Sequence, residues 1–485
     1  MDQKRLNRRD FLRLSALTAA GAALAGCGPA PTPQVIKETV EVPVEKTVVV
    51  EATKEPTPVP QPIEPTELEG TVVWMQDYDL DALTFVPEFN ETYPKVTIEQ
   101  VGWDETRFYA MIAAGQPPDL YGINGMKTAF LAGRKLVLDL APFVDISTKV
   151  TWDDLSDAHL SLRWDGSKLG SGPLYGIVKD SSPDNQWWVN TGDIEAAGFT
   201  VPGPTDYLKY PDVAAMAEAM TQREGDRTLR FGFAHGGAEE VEPCSQLACV
   251  EAGTTLYDEF YSKVILVDNE PVVTYLKWYL DMAVKGVVPS AKNPAGWIAE
   301  DWTQRKVSMM GNGYWVSGLL KMWAVDSPEV ETLMNDDALM LAGLTWTGQK
   351  LNPEFGPTST AIFPKSGVPD AAWAFLEFYT AGTPGITRAK AGWGAPPLKS
   401  LFPLMPNETE FDKRVQASLQ EVSKHGSGIP IQQNPFYDPN LFGSSAWQGN
   451  FDRAVNGEIT FEEMVQNMEN EVNQLIYEGV QAVSG

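Results

Sequence analysis

Residues 71–101 read TVVWMQDYDLDALTFVPEFNETYPKVTIEQV, and two hydrophobic periods succeed each other within them. The apolar run 72–74 is typical of a buried strand, whereas Phe85 and Phe89 have the i, i+4 spacing of one helix face. Residues 96–101 return to the alternation of a strand. The pattern therefore predicts a strand, a helix and a second strand, which together begin an α/β unit.

The next segment continues the alternation. Phe108, Met111 and Ile112 predict a second helix that ends at Gly115, and the two prolines at 117–118 prevent its continuation. Strands that alternate with helices in this way favour a mostly parallel sheet covered by helices.

Three later helices carry their own boundary signals. Proline begins the helices predicted in 271–286 and 369–382, and a glycine ends each of them. Thr460 and Glu463 have the spacing of a capping box before a long amphipathic stripe. The apolar residues of these helices are expected to pack in a core.

Length and composition limit the function classes. A chain of 485 residues is about three times a common domain length, so two or more packed units, or one large unit with insertions, are expected. Its 65 acidic and 37 basic residues give a formal charge of −28, which repels nucleic-acid backbones. With 43% hydrophobic and 21% charged residues, the chain has ordinary globular composition. Nucleic acid is therefore not an expected partner.

A metal site formed by cysteine and histidine side chains is not expected either. The cysteines and histidines are Cys27, Cys244, Cys249, His159, His235 and His425. They do not form the paired spacings of a structural zinc site, and no cofactor is predicted. Cys244 and Cys249 are five residues apart, a spacing that fits poorly across one continuous helix, so buried thiols are favoured over a disulfide.

The amino terminus has the pattern of an export signal. Basic residues precede an apolar stretch at 14–25 that is too short to span a bilayer. Residues 7–12, NRRDFL, resemble a twin-arginine signal, and residues 24–27, LAGC, resemble a lipobox. A signal peptide over 1–26 and a lipidated Cys27 are predicted. Residues 28–69 contain nine prolines and no aromatic residue, so 27–69 is predicted to be a disordered tether.

Seven short motifs along the chain occur in the same order as in a known family. They are AAGQPPD at 113–119, LDLAPF at 138–143, GPLYGI at 172–177, WVN at 188–190, KVSMM at 306–310, NGYW at 312–315 and VNGE at 455–458. Together they resemble the family 1 extracellular solute-binding proteins, the sugar-capturing subunits of ABC importers that include the maltose-binding type. The resemblance spans nearly all of residues 70–485, and 113–119 is its most specific segment.

The resemblance implies a two-lobed α/β fold of the periplasmic-binding-protein type (type II), with mostly parallel sheets covered by helices. The ligand would lie in a cleft between the lobes, which close by a hinge. Lobe 1 is expected at 70–180 plus 356–391, and lobe 2 at 181–355 plus 392–485.

A sugar has an apolar C–H face and a hydroxyl edge, so its site needs aromatic rings beside polar side chains. Trp315 and Trp447 match positions at which the family carries stacking tryptophans, and Glu242 resembles an acid–proline step that lines the cleft. The complete set of candidate ligand-binding residues is Trp74, Gln76, Asp77, Asn124, Asp184, Trp187, Glu242, Tyr314, Trp315, Trp393 and Trp447. Asn124 follows the strand where maltose binders have a tryptophan, which argues against maltose itself.

Each candidate also has a purely structural interpretation. A tryptophan at a strand end can pack in the core, and only one of the adjacent Trp187 and Trp188 can face a given side of a strand. The acidic residues 239–242 could form a solvated turn.

Two other functions remain open. A surface glycosidase needs a spaced pair of carboxylates, which so acidic a chain can always supply. The same fold could bind a polyamine or another cation through acidic and aromatic side chains. The sequence has no H-E-x-x-H, G-x-S-x-G or P-loop pattern.

The resulting hypothesis is a lipid-anchored protein on the outer face of a bacterial cell membrane. It would bind a carbohydrate, with an oligosaccharide as the expected ligand, and deliver it to the transmembrane subunits of an ABC permease. It is expected to be a monomer and to perform no catalysis.

Overall fold

The computed structural model describes residues 60, 63–76, 80–183, 185–235, 237–353, 356–425 and 432–484. The predicted signal peptide, Cys27 and most of the tether lie outside these residues, as do Asp77 and Asp184. Leu68 is buried and Glu69 already belongs to the first strand. The folded part therefore begins before residue 70, because Leu68 is apolar and packs against the core.

The strands of the described residues are β1 Glu69–Met75, β2 Lys95–Val101, β3 Leu120–Asn124, β4 Arg163–Trp164, β5 Leu169–Leu174, β6 Ile177–Asp180, β7 Trp187–Asn190, β8 Tyr207–Lys209, β9 Gln222–Glu224, β10 Arg227–Arg230, β11 Met309–Gly311, β12 Ala338–Leu341, β13 Gly343–Thr345 and β14 Thr358–Ile362.

The α-helices are α1 Val86–Thr92, α2 Glu105–Ala113, α3 Thr128–Gly133, α4 Ala141–Ile146, α5 Thr191–Ala196, α6 Tyr210–Met220, α7 Val241–Ala252, α8 Glu270–Val284, α9 Ile298–Thr303, α10 Val316–Ala324, α11 Pro328–Thr332, α12 Pro369–Ala381, α13 Thr383–Ala391, α14 Glu410–Val422, α15 Gln448–Val455 and α16 Phe461–Ser484. Short 3₁₀ turns cover Leu80–Phe85, Gly125–Lys127, Asp157–Leu162, Ala238–Glu240 and Lys399–Leu404, and wider π turns cover Leu333–Asp337 and Phe442–Trp447.

The predicted helix boundaries are confirmed. Prolines occupy the first turns of α8 and α12. At the start of α16 the backbone N–H of Thr460 donates to the Glu463 carboxylate at 2.8 Å, and the Glu463 N–H donates to the Thr460 hydroxyl at 3.1 Å. These reciprocal bonds form the predicted capping box. Gly115 follows α2 with φ of 72°, a left-handed conformation that glycine adopts without steric cost.

The first sheet has the order β2-β1-β3-β14-β6. β1 pairs in parallel with both β2 and β3, whereas β14 runs antiparallel to β3 and β6. Thr358 at the start of β14 pairs with Asn124 and with Asp180, the last residues of β3 and β6. The chain therefore leaves this sheet through β6 and re-enters beside it through β14, at the edge where the parallel strands end.

Around this sheet lies a hydrophobic core, here called the first core, whose buried residues fall within 68–178 and 361–401. Leu398 and Leu401 belong to it, so it extends past residue 391, where the family resemblance placed the end of lobe 1.

A second sheet, β11-β7-β12, separates two further clusters. They are together called the second core. Both neighbours of β7 run antiparallel to it. The expectation of mostly parallel strands is therefore confirmed for the first sheet, in which β1 is parallel to β2 and β3, and does not hold for this three-stranded sheet. As expected from strand alternation, Trp187 and Trp188 face opposite sides and belong to different clusters.

Connections between the two cores meet beside Asp180. Ser181 and Ala395 exchange backbone hydrogen bonds of 3.0 and 2.7 Å. Gly394, which precedes Ala395, has a φ of 140° and lies against Asp180. A Cβ at position 394 would lie 2.8 Å from the Asp180 Cβ. The crossing segments are therefore close together at this point.

Cys244 and Cys249 both lie on α7 and form no disulfide; Cys249 is buried and Cys244 is half-buried. Among the described residues, no helix is both long enough and apolar enough to cross a bilayer.

Candidate functional site

A cavity of about 590 Å³ lies between the first and second cores. Its lining from the first core is Gln76, Trp103, Glu105, Phe108, Tyr109, Tyr121, Gly122, Ile123, Asn124, Lys127, Leu131 and Thr358. Its lining from the second core is Ala238, Glu239, Asp438, Asn440, Leu441 and Ser444. This volume is within the range of small-molecule sites.

Aromatic rings form the wall on the first-core side. Trp103 comes two residues after β2, and its ring centroid lies 5.6 Å from that of Phe108. Phe108 contacts Tyr109 and Tyr121 at centroid distances of 5.3 and 4.6 Å. Asp104 caps α2 by accepting the Arg107 N–H at 2.6 Å, which fixes the helix that carries Phe108 and Tyr109. Because Trp103 is half-buried and Tyr109 exposed, their rings offer faces on which an apolar ligand surface can stack.

Polar groups stand at the ends of β1 and β3. Gln76 follows β1 directly. Gly122 leaves room for the Gln76 side chain, because a Cβ at position 122 would lie 2.4 Å from the Gln76 Oε1. Asn124 ends β3, and its Oδ1 accepts the Met126 N–H at 2.9 Å. The predictions that Gln76 and Asn124 lie at the cleft agree with this lining.

Charged side chains line the cavity from both cores. Lys127 makes ion pairs with Glu105 at 3.0 Å and with Asp438 of the second core at 2.8 Å. Glu239 adds a third carboxylate to the lining. Carboxylates thus outnumber ammonium groups in the lining, and one ion pair joins the two cores.

Three predicted ligand residues lie in the cores instead. Trp74 is fully buried and packs edge-on against Phe375 and Tyr379 of α12. Trp187 is stacked on Phe233, with centroids 4.5 Å apart. Trp447 is likewise buried in the second core. None of these three tryptophans lines the cavity, because each indole is covered by other aromatic side chains.

Tyr314 and Glu242 are also buried. Tyr314 packs in the cluster that contains Trp188. Glu242 lines a separate gap of about 10 Å³, which has room for about one water and none for a sugar. These two predicted site residues therefore do not line the cavity.

Burial changes the acidity of Glu242. Desolvation raises its pKa to about 7, although hydrogen bonds from Tyr257, Gln246 and Tyr437 favour the charged form. The Tyr257 hydroxyl donates to its Oε1 at 2.6 Å.

Unfolding should therefore depend on pH through Glu242. Between its ordinary pKa and about 7 the folded state holds a proton that the unfolded state releases, so stability falls as pH rises through this window. The loss should reach about 3 kcal/mol. Urea unfolding of Glu242→Gln should lack this slope, whereas Glu239→Gln, whose side chain is exposed, should keep it. Equal slopes in the two variants would contradict the assignment to Glu242.

Trp315 and Trp393 are half-buried against the second core. Trp315 follows β11, and its N–H donates to the Ser182 hydroxyl at 3.1 Å, next to the crossing segments. Its ring lies nearly parallel to that of Trp297, at an angle of 9° and a centroid distance of 6.5 Å. Trp297 is 51% exposed. These rings form an accessible aromatic surface beside the crossing segments, outside the lining of the cavity.

Trp103 and Tyr109 were absent from the predicted set. The signal was present, because Trp103 follows the carboxyl end of a predicted strand just as Gln76 does, and parallel strands end at one edge of a sheet. No group of three or more His, Cys, Asp or Glu side chains suited to a metal ion occurs within the described residues.

No family model matches the sequence, and no curated protein matches it. Among solved structures, an ABC substrate-binding protein of Listeria monocytogenes in complex with cycloalternan is similar, with a TM-score of 0.67 and 18% identity over 84% of this chain and 98% of that one. The chain has the fold of the two-lobed solute-binding proteins.

Other structures of this fold are similar over the same extent. The sugar-binding protein MalE from Xanthomonas citri has a TM-score of 0.61 and 14% identity, covering 84% of this chain and 98% of its own. A binding protein from B. animalis subsp. lactis in complex with beta-1,6-galactobiose has a TM-score of 0.64 and 16% identity, with the same coverage.

Proposed function

We propose that the chain is the substrate-binding lipoprotein of an ABC importer and captures a carbohydrate between its two cores. The observation that carries the proposal is the cavity itself, which combines an aromatic wall from one core with polar side chains from both. This is the combination that a saccharide, with its apolar face and hydroxyl edge, requires.

In this proposal a sugar ring stacks on Trp103 and Tyr109, while its hydroxyls bond to Gln76 and Asn124. The second core would contribute further polar contacts through Asn440 and Ser444. A ligand that touches both cores favours the closed arrangement, because only that arrangement makes all of these contacts.

Trp315 is proposed as a second stacking platform. It follows a strand of the second sheet, its indole faces that of Trp297, and it adjoins the crossing segments. Trp393 lies beside the same segments, since Gly394 abuts Asp180. An oligosaccharide that extends from the cavity toward the hinge could use these rings.

The remaining parts of the proposal concern delivery. The protein would be held to the outer face of the membrane by lipid on Cys27, tethered by the segment that follows, and would act as a monomer. Closed over its ligand, it would dock on the permease subunits and release the sugar chemically unchanged, so that no enzymatic step is involved. Asp77 and Asp184, proposed from the sequence alone, would add polar contacts.

Titration calorimetry with a panel of neutral oligosaccharides and polyamines tests this function. A neutral saccharide should bind with little dependence on ionic strength. Conversion of any saccharide into products would contradict the proposal, as would the absence of binding across the panel.

A cationic ligand is the second candidate. It is favoured by one observation, that Glu105, Glu239 and Asp438 outnumber Lys127 in the lining. Binding of a polyamine should weaken steeply as salt is added, because screening reduces attraction between charges. The salt dependence of the strongest ligand therefore separates the two candidates.

Trp103→Ala should weaken saccharide binding by about tenfold or more, because it removes a stacking face from the cavity. The free energy of unfolding should change little, since Trp103 is half-buried at the surface of the first core. Trp152→Ala is the matched control: Trp152 is a partly exposed tryptophan on the first core that does not line the cavity. Calorimetry that gives the same affinity for both variants would remove Trp103 from the site.

A further inference from the structure

Residues 432–438, here called the strap, run between the second core and helix α3 of the first core. The strap contains no helix or strand. Its position is set by hydrogen bonds in two directions, and these bonds join parts of the chain that are far apart in sequence.

One set of bonds fastens the strap to the second core. The Gln432 Oε1 accepts the backbone N–H groups of Leu256 and Tyr257, both at 3.1 Å. The Asn434 amide donates to the Tyr261 carbonyl at 3.0 Å. Phe436 and Tyr437 are buried in the same core. The strap therefore moves with the second core.

A second set of bonds reaches the first core. The Ala129 N–H donates to the Gln433 Oε1 at 3.0 Å, and the Gln433 amide donates to the Gly125 carbonyl at 2.7 Å. Arg134 donates to two successive strap carbonyls, those of Pro435 at 2.8 Å and Phe436 at 2.7 Å. The Lys127–Asp438 ion pair continues this line of contacts to the edge of the cavity.

We propose that the strap holds the two cores together before a ligand arrives, and that Arg134 is the positioning residue for this contact. Arg134 does not line the cavity. The strap segment to which it donates hydrogen bonds continues directly into three residues that line the cavity, Asp438, Asn440 and Leu441. Its planar guanidinium spans two neighbouring carbonyls, a geometry that a lysine ammonium does not reproduce. Because the strap already holds the second-core lining in place, ligand binding requires less reorganisation of that lining than it would in a protein without this contact.

The test compares three variants of the full chain without ligand. Arg134→Ala and Arg134→Lys remove the two-carbonyl grip. Arg163→Ala is the matched control, because Arg163 donates twice to the Gly172 carbonyl, at 3.0 and 2.7 Å, entirely within the first core.

Amide hydrogen exchange of α3 is the first readout. Ala129 is the second residue of α3, a position at which the helix itself supplies no acceptor for the N–H. This N–H donates to the strap side chain of Gln433, so its protection reports the contact between the cores. Exchange at Ala129 should rise about tenfold in both Arg134 variants, and small-angle scattering should show a larger radius of gyration. Exchange and radius equal to those of Arg163→Ala would overturn the proposal.

Ligand affinity is the second readout, and only this readout rests on the proposed function. With a saccharide that binds the wild type, Arg134→Ala and Arg134→Lys should bind about tenfold more weakly, while Arg163→Ala retains wild-type affinity. If the wild type binds no member of the panel, the proposed function fails, and the exchange and scattering comparison still decides the role of the strap. Should Arg134→Ala fail to fold, Arg134→Lys carries both comparisons.

Discussion

Trp447→Ala is expected to lower the free energy of unfolding by about 3–5 kcal/mol, the range for removal of a buried indole from a packed core. Trp447 is 2% exposed. Its ring stacks on Phe451 with centroids 4.5 Å apart and contacts Tyr279 at 5.9 Å. Alanine would leave a void that these neighbours cannot fill without moving.

Urea unfolding measures this effect, with Trp297→Ala as the control. Trp297 is 51% exposed, so its replacement should change the free energy of unfolding by less than about 1 kcal/mol. If Trp447→Ala proved as stable as the control but bound ligand more weakly, Trp447 would have to face the ligand, as its resemblance to a stacking position implied.

Gly479→Ala is expected to destabilise the protein by about 1–3 kcal/mol or more, because the site has no space for a methyl group. A Cβ at Gly479 on α16 would lie 1.7 Å from the carbonyl oxygen of Phe436. That oxygen is a backbone atom, and it accepts a hydrogen bond from Arg134. The substitution must therefore displace either α16 or the strap.

Gly449→Ala provides the comparison in thermal or urea unfolding. Gly449 lies on α15, and a Cβ there would meet nothing within 4 Å. Alanine has the higher helix propensity, so this variant should be unchanged or more stable by about 0.5–1 kcal/mol. Equal stability of the two variants would contradict the close approach of α16 to the strap.

Element boundaries could be predicted because their determinants are local. Thr460 and Glu463 are three residues apart, Pro369 occupies the first turn of its helix, and Gly115 takes the left-handed conformation that follows a helix. Each signal acts through the backbone of its own neighbourhood. The α/β character of the first sheet followed from the same local patterns.

The direction in which a side chain faces could not be predicted in the same way. Trp74 is the second-to-last residue of β1, at the strand end where a ligand contact was expected, but its indole is covered by α12, which occurs far along the chain. Both faces of a sheet covered by helices are apolar, so the hydrophobicity of a residue does not show whether its side chain faces the core or the cleft. By contrast, the opposite orientation of Trp187 and Trp188 was predictable, because strand alternation alone determines it.

The strap illustrates the same limit. Residues 432–438 read QQNPFYD, which has neither helical nor strand periodicity and is typical of a loop. Its partners, Ala129 and Arg134, are about three hundred positions earlier. Trp103 is the opposite case, since extending the strand-end rule from β1 to β2 would have selected it.

The location of β14 determines when the first sheet can be completed during synthesis. This strand separates β3 from β6 in the sheet but follows the whole of the second sheet in the chain. In a nascent chain that ends before Thr358, β6 would have no partner strand in this sheet and β3 would lack one of its two partners. Unpaired strand edges are templates for association with other chains. Almost three quarters of the 485 residues must therefore leave the ribosome before this sheet can be completed. A translocation pathway that accepts only finished folds, such as the one implied by the predicted twin-arginine signal, would keep those edges inside the cell until they are paired.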